Sequence, residues 1–243
     1  MYTLGGDVSH HQGTMDWMKF SDAGAEFAFI RAGSINYQTG VPYTDYQFEI
    51  NATAAPHFVE HVGYYWFFRA NQDALLQADY FCNLIEYKEQ DLAPVIDVES
   101  NNGVSPSVLT SRAKTFIDRV ETRMSIKPII YTRASFWNPY TTQPNWALLH
   151  DLWAARYNGT LTGPWSDGSY IALPWGPNPD GWEYWQFSAD GNNRGDEFGA
   201  ESDDIDLNYK RVPFEGTTPP PVGKTEVEVH YFPSEAIIIP VEK

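Results

Sequence analysis

The chain has 243 residues, 42% apolar and 16% aromatic, with 32 acidic side chains against 16 basic ones and a formal charge of −16. That supplies a sizeable core and excludes wholesale disorder; a single α/β barrel commonly takes roughly 200–250 residues, so length alone does not imply two domains. The acid excess excludes nucleic acid recognised mainly through charge, no apolar run reaches the ~18 residues of a membrane span, and a single cysteine, Cys82, rules out an intrachain disulfide or a multi-Cys zinc site.

In chain order, short runs rich in β-branched and aromatic residues alternate with helical patterns. Strands are predicted at 2–8, 27–32, 62–68, 93–98, 128–131, 151–155 and 182–187, with a doubtful one at 170–173; helices are predicted at 15–23, 46–55, 74–87 and 106–124. Cys82 falls in the third helical pattern and reads as a buried, inert thiol. The alternation predicts a parallel sheet with helices outside, and about eight strands make an irregular, TIM-like (β/α) barrel the economical closure. Strands 93–98 and 128–131 are apolar almost throughout, as expected when both faces are covered. Helical patterning fades after Thr132, and 139–145 and 159–181 read as loop-rich. The barrel is expected to fill 1–212; 213–243, with 6 of the 17 prolines, reads as a short Pro-rich linker and a β-like tail with strands at 225–232 and 236–241.

The most informative segment is Ala93-Pro-Val-Ile-Asp97-Val98-Glu99. An apolar strand ends in two carboxylates spaced i, i+2, which puts both on one face. Sites in parallel barrels collect at the C-terminal ends of strands. Two carboxyls held this close cannot both ionise freely, so the more desolvated is expected to titrate high; one acid beside one anion is what glycosidic cleavage needs. Asp7 ends the first strand, and Asp206 follows the last predicted one. Closure of the barrel would bring these two together, making four carboxylates on one rim. Arg31, at the end of the second strand, is expected to pair with Asp7 or Asp97.

Asp7-Val-Ser-His-His-Gln-Gly, Phe27-Ala-Phe-Ile-Arg31-Ala-Gly, Gly63-Tyr-Tyr-Trp-Phe67, Pro94-Val-Ile-Asp97-Val-Glu99, Ile130-Tyr131-Thr, Leu152-Trp153-Ala-Ala-Arg-Tyr157, Trp185-Gln186-Phe187 and Asp206-Leu-Asn208 resemble, in order, the glycoside hydrolase family 25 lysozymes, the Chalaropsis-type N-acetylmuramidases frequent among phage endolysins. The resemblance covers residues 2–210. It implies a β/α barrel that cleaves the β-1,4 bond from N-acetylmuramic acid to N-acetylglucosamine in bacterial peptidoglycan. By position, Glu99 matches the family's general acid, Asp97 its partner carboxylate, and Asp7 and Asp206 the remaining acids of the site. Tyr65 and Tyr131 would line the groove, joined by Trp153, Tyr157 and Trp185, with Arg31, Phe67 and Gln186 from the same motifs completing the expected substrate-binding set. Trp66 stands where relatives often carry His.

No cofactor or metal is expected. His10 and His11 lack compact ligand spacing with the other histidines, and the 190–201 segment imitates a calcium loop but carries Arg194 where an oxygen ligand belongs. A chitinase-like hexosaminidase and a non-catalytic wall-binding barrel are the alternatives. The opening Met-Tyr-Thr-Leu-Gly-Gly-Asp has neither the basic nor the long apolar region of a Sec-type signal peptide. With the resemblance, this points to a protein held in the cytoplasm of the producing cell until released onto the wall. Residues 180–215 hold 10 acids against 3 bases, so much of the acidity sits in a loop-rich segment around Asp206.

Overall fold

The computed structural model describes residues 2–157, 171–176, 181–191, 193–211, 228–232 and 235–239. The chain divides into two compact units, Met1–Val212 and Pro213–Lys243.

The first unit is a closed eight-stranded barrel. Around it run β1 (Thr3–Val8), β2 (Phe27–Ile35), β4 (His61–Phe67), β5 (Val95–Asp97), β6 (Ile129–Thr132), β7 (Leu152–Ala155), β8 (Tyr184–Ser188) and β9 (Asp206–Lys210), with β1 pairing both β2 and β9. Seven strands are parallel; β9 runs antiparallel to both neighbours, and β3 (Pro42–Thr44) adds an antiparallel edge to β2. Helices α1 (Trp17–Asp22), α2 (Phe48–Ala54), α3 (Ala74–Ile85), α4 (Pro106–Met124) and α5 (Ala134–Tyr140) follow successive strands.

Strand alternation builds two cores. The outward residues of β2 and β4, among them Ile30 and Trp66, pack against the helices, where Trp66 meets Phe81 of α3 and Phe81 stacks on Phe116 of α4. The inward residues fill the lumen: Phe29 stacks on Trp153 at 4.6 Å, and Tyr184 meets both Phe27 and Phe29 edge-on. Gly5 makes room for this plug, since a Cβ there would clash with the ring edge and the backbone oxygen of Phe27. The plug makes the lumen solid below its upper rim. Trp66 is therefore a wall between barrel and helix rather than a group facing the lumen, and its indole N–H donates to Gln77 Oε1 at 3.1 Å.

Helix α4 matches its predicted span. Ser105 caps it by accepting from Val108 N, Pro106 opens it, and Leu109, Ala113, Phe116, Ile117 and Val120 form the buried stripe. Arg119 and Arg123 reach Asp79 and lock α4 to α3. Cys82 is buried in α3, and burial pushes its thiol up to about 11.

Three elements depart from the sequence pattern. Strand β9 was not expected, because its inward residues Asp206 and Asn208 are polar and interrupt the apolar signal; Asp206 opens this strand rather than following the last one. Helix α5 occupies the start of the region read as patternless, and it is only 7 residues long with Pro139 near its end, too short to show a period. Strand β3 spans 3 residues and is similarly illegible. The doubtful strand at 170–173 lies partly outside the described residues, and Ile171–Leu173 forms no strand; most of the 159–181 loop region and the Pro-rich linker also lie outside them. Among the described residues no helix is long and apolar enough to cross a membrane.

The second unit contains an antiparallel pair, β10 (Glu228–Phe232) and β11 (Glu235–Ile239), in register from Glu228 opposite Ile239 to Phe232 opposite Glu235.

Candidate active site

The ends of the parallel strands and the start of β9 open onto a cavity of about 180 Å³ whose lining includes all four rim carboxylates, Asp7, Asp97, Glu99 and Asp206. The register accounts for the gathering. Asp97 sits beside Phe67 of β4 and Tyr131 of β6, and Asp7 sits directly opposite Asp206 across the β1–β9 seam. Because β9 is antiparallel, its first residue reaches the same rim as the last residues of its neighbours.

Beyond Asp97 the backbone stays tied to β6: Val98 N donates to Tyr131 O at 2.9 Å and Thr132 Oγ1 donates to Val98 O at 2.8 Å. The alternation therefore continues, Val98 turns outward, and Glu99 returns to the cavity. Asp97 is buried, and its Oδ1 has no hydrogen-bond partner among the described residues. Burial first, and then the nearby Glu99 charge, hold the Asp97 carboxyl well above the usual range, against the pull of Arg31. Burial also raises Glu99, opposed by the guanidiniums of Arg133, Arg31 and Arg69. Burial thus biases both carboxyls toward the protonated form, and two carboxyls this close favour holding one proton between them.

Across the cavity the solution is different. Asp7 Oδ2 accepts from Gln186 Nε2 and from Asn208 Nδ2, each at 2.8 Å. Gln186 Oε1 in turn accepts the hydroxyls of Tyr131 at 2.7 Å and Tyr157 at 3.0 Å, and Asn208 Oδ1 accepts the Trp153 indole N–H at 2.7 Å. The indole, a donor only, fixes the Asn208 amide with its NH2 toward Asp7, so Asp7 Oδ2 is the acceptor there. Burial still pushes Asp7 up to about 6, with the two amide donors pulling back. Asp206 is held well above its usual range by burial and by Asp7 and Glu99; Gln12 Nε2 donates to its Oδ2 at 3.4 Å.

Of the expected substrate-binding residues, Arg31, Tyr65, Phe67, Tyr131, Trp153, Tyr157 and Gln186 line the cavity, and Trp185 does not. Gln186 points inward on β8, so its neighbour Trp185 must point outward; it packs beside Trp182 and Phe187 and donates its N–H to Arg156 O at 2.9 Å. Trp153 forms part of the floor, one face stacked on Phe29 and Tyr131 set edge-on against it, which leaves Tyr157, 48% exposed, as the open aromatic of the set. Arg31 pairs with neither Asp7 nor Asp97: its Nε lies 3.9 Å from Asp45 Oδ2 and its Nη2 donates to Tyr43 OH at 3.4 Å.

Ser9, not among the expected site residues, and His11, weighed only as a metal ligand, also line the cavity, and Asn208 and Gln12 brace Asp7 and Asp206. Asn208 was legible in principle, two residues from Asp206 and hence on its face. Ser9 and Gln12 form a capping box, with Ser9 N donating to Gln12 Oε1 at 2.9 Å, a signature readable as Ser-x-x-Gln. His10 Nδ1 meets Asp45 Oδ2 at 2.6 Å. Around the calcium-like segment the acids have protein partners: Asp190 accepts from Ser188, Asp196 pairs with Lys19, and Glu201 accepts from Thr14 N, while residue 192 lies outside the described set. Among the described residues no group of three His, Cys, Asp or Glu side chains is arranged to hold a metal.

The closed β/α barrel gathers four carboxylates on one rim, Asp7, Asp97 and Glu99 from the C-terminal side of their strands and Asp206 from the start of β9. Residues 6–196 match the family described as glycosyl hydrolases family 25, and the chain belongs to that family. It is 31% identical over 214 residues to Lysozyme M1 of Streptomyces globisporus, which covers 83% of this chain but 65% of that protein, so the chain spans just under two thirds of that relative's length. A family 25 glycosyl hydrolase from Bacillus anthracis is similar with a TM-score of 0.68 at 26% identity, over 86% of this chain and 89% of that one. The bacterial lysozyme from Streptomyces coelicolor is similar with a TM-score of 0.67 at 27% identity, over 86% and 92%.

Proposed function

We propose that the chain is a peptidoglycan hydrolase, an N-acetylmuramidase that cleaves the β-1,4 bond from N-acetylmuramic acid to N-acetylglucosamine in bacterial cell walls. The observation that carries this reading is the Asp97-x-Glu99 pair at the end of β5, one carboxyl buried with an unpartnered oxygen and the other facing the cavity. Membership of glycoside hydrolase family 25 and similarity to Lysozyme M1 support the substrate class.

In this reading Glu99 is the general acid. Burial favours its protonated form, and it delivers that proton to the leaving glycosidic oxygen. With the pair's one proton on Glu99, the acetamido oxygen of the N-acetylmuramic acid attacks its own anomeric carbon as the bond breaks, and anionic Asp97, through its unpartnered Oδ1, accepts the acetamido N–H and stabilises the positive charge that develops. Glu99, now anionic, takes a proton from water, whose oxygen opens the cyclic intermediate and restores the acetamido group. Asp7 and Asp206 form the opposite wall and hold sugar hydroxyls. The cavity, about 180 Å³, is smaller than the roughly 300–1,000 Å³ of sites that enclose a whole drug-sized ligand, which suits a site that grips one ring of a longer polymer.

The test is the identity of the new reducing end. Purified walls are digested, reduced with borohydride and hydrolysed. Muramitol supports the muramidase; glucosaminitol would assign the chain as a hexosaminidase, and no new end would make it a wall-binding barrel.

A further inference from the structure

The Phe67 side of the cavity carries two guanidiniums, those of Arg31 and Arg69. The Arg69 guanidinium carbon lies 4.3 Å from the centre of the Phe67 ring and 5.7 Å from that of Tyr37, and the Arg31 carbon lies 5.0 Å from the same Phe67 ring. Cation–π contacts hold a planar guanidinium in place without occupying its N–H donors. Arg69 Nε is buried with no acceptor, and no carboxylate among the described residues forms an ion pair with Arg69. Lys19, Lys88, Arg119 and Arg194, by contrast, each have a carboxylate partner. Phe67 lines the cavity beside Asp97, and the Arg69 charge lowers both Asp97 and Glu99 through space.

We propose that Arg69, laid on Phe67, forms a subsite for a carboxylate of the substrate, one that selects the muramic acid side of the bond to be cut. The inference rests on the muramidase reading. Of the two wall sugars only muramic acid carries a carboxyl, on its lactyl ether; when that is amide-linked, the nearest free carboxylate belongs to the stem peptide. Both sources offer the planar pair of oxygens that an arginine fork matches. On a surface as acidic as this one, an unpaired arginine at the groove gives an anionic substituent a local place to bind.

Two probe pairs distinguish the sources by calorimetric titration of the full chain: N-acetylmuramic acid against its lactyl carboxamide, and muramyl dipeptide with its glutamate carboxylate free against amidated. The parent should prefer the charged member of one pair about tenfold, the scale of one charge-assisted contact. Arg69→Met keeps the length and the packing on Phe67 but drops the charge; it should bind both members alike. No preference in either pair, or a preference that survives Arg69→Met, would overturn the subsite. Because binding is read rather than turnover, a failure to cleave walls would sink the muramidase reading and leave this result to stand or fall separately.

Discussion

The two walls of the cavity hold buried carboxyls in opposite ways. On the β5 wall Asp97 keeps an oxygen without a partner, and the compensation for burying Asp97 and Glu99 comes from the guanidiniums of Arg31, Arg69 and Arg133 acting through space. On the β1–β9 wall Asp7 is gripped by two amides that in turn accept from Tyr131, Tyr157 and Trp153. A carboxyl balanced by distant charge can gain, lose or share a proton without breaking a hydrogen bond. One held by paired amide donors is an acceptor at a fixed place. In the proposed reaction the β5 wall transfers the proton and stabilises charge, and the other wall positions the sugar.

The largest effect that separates the walls is on turnover. Glu99→Gln should lower kcat about 10³-fold, within the range for loss of a general acid, while co-sedimentation with insoluble walls is retained. Residual activity above a tenth of the parent would move the acid elsewhere.

Next in size is a pH effect on stability from the opposite wall. Asp7 rises from 3.8 to about 6 on folding, so between those values the folded chain keeps a proton that the unfolded chain has lost. Its contribution is fully present below about pH 4 and is lost as pH rises through about 6, roughly 3 kcal/mol in all. Asp7→Asn should remove that share of the slope in urea denaturation measured across this window. An unchanged slope would mean that the amide donors fully offset burial.

Smaller again is the bracing network. Gln186→Leu strips Asp7 of one donor and leaves the Tyr131 hydroxyl without its acceptor. The expected cost is about 1–3 kcal/mol of stability, with the Asp7 carboxyl resonance titrating above its parent value in ¹³C NMR. The smallest effect falls outside both walls. Trp185→Phe loses an outward-facing hydrogen bond to Arg156 O and should cost about 1 kcal/mol while leaving kcat and KM unchanged. A change in KM would return Trp185 to the groove.

What could be read from the sequence follows from where each signal lies. The β5 wall was legible because an apolar strand running into Asp97-x-Glu99 states both its burial and its chemistry within seven residues. The opposite wall was legible only as acids: its donors lie 179 and 201 residues from Asp7, and only closure of the barrel brings them together. The polar inward face that makes β9 part of the site is what hid it as a strand. Trp185 was misplaced because a motif gives composition and not parity; the inward Gln186 beside it decides the side. Arg31 found Asp45, a residue in the connection between β3 and α2 that no strand pattern could supply.

The division of labour between the walls rests on Asp97 acting through the substrate's own acetamido group, with Glu99 delivering and then recovering one proton. The most direct test follows the first anomer released, by ¹H NMR during cleavage of purified glycan chains. The account predicts that the β-anomer of the muramic acid end appears first, because two displacements at the anomeric carbon retain its configuration. Initial release of the α-anomer would mean a single attack by water and would contradict it.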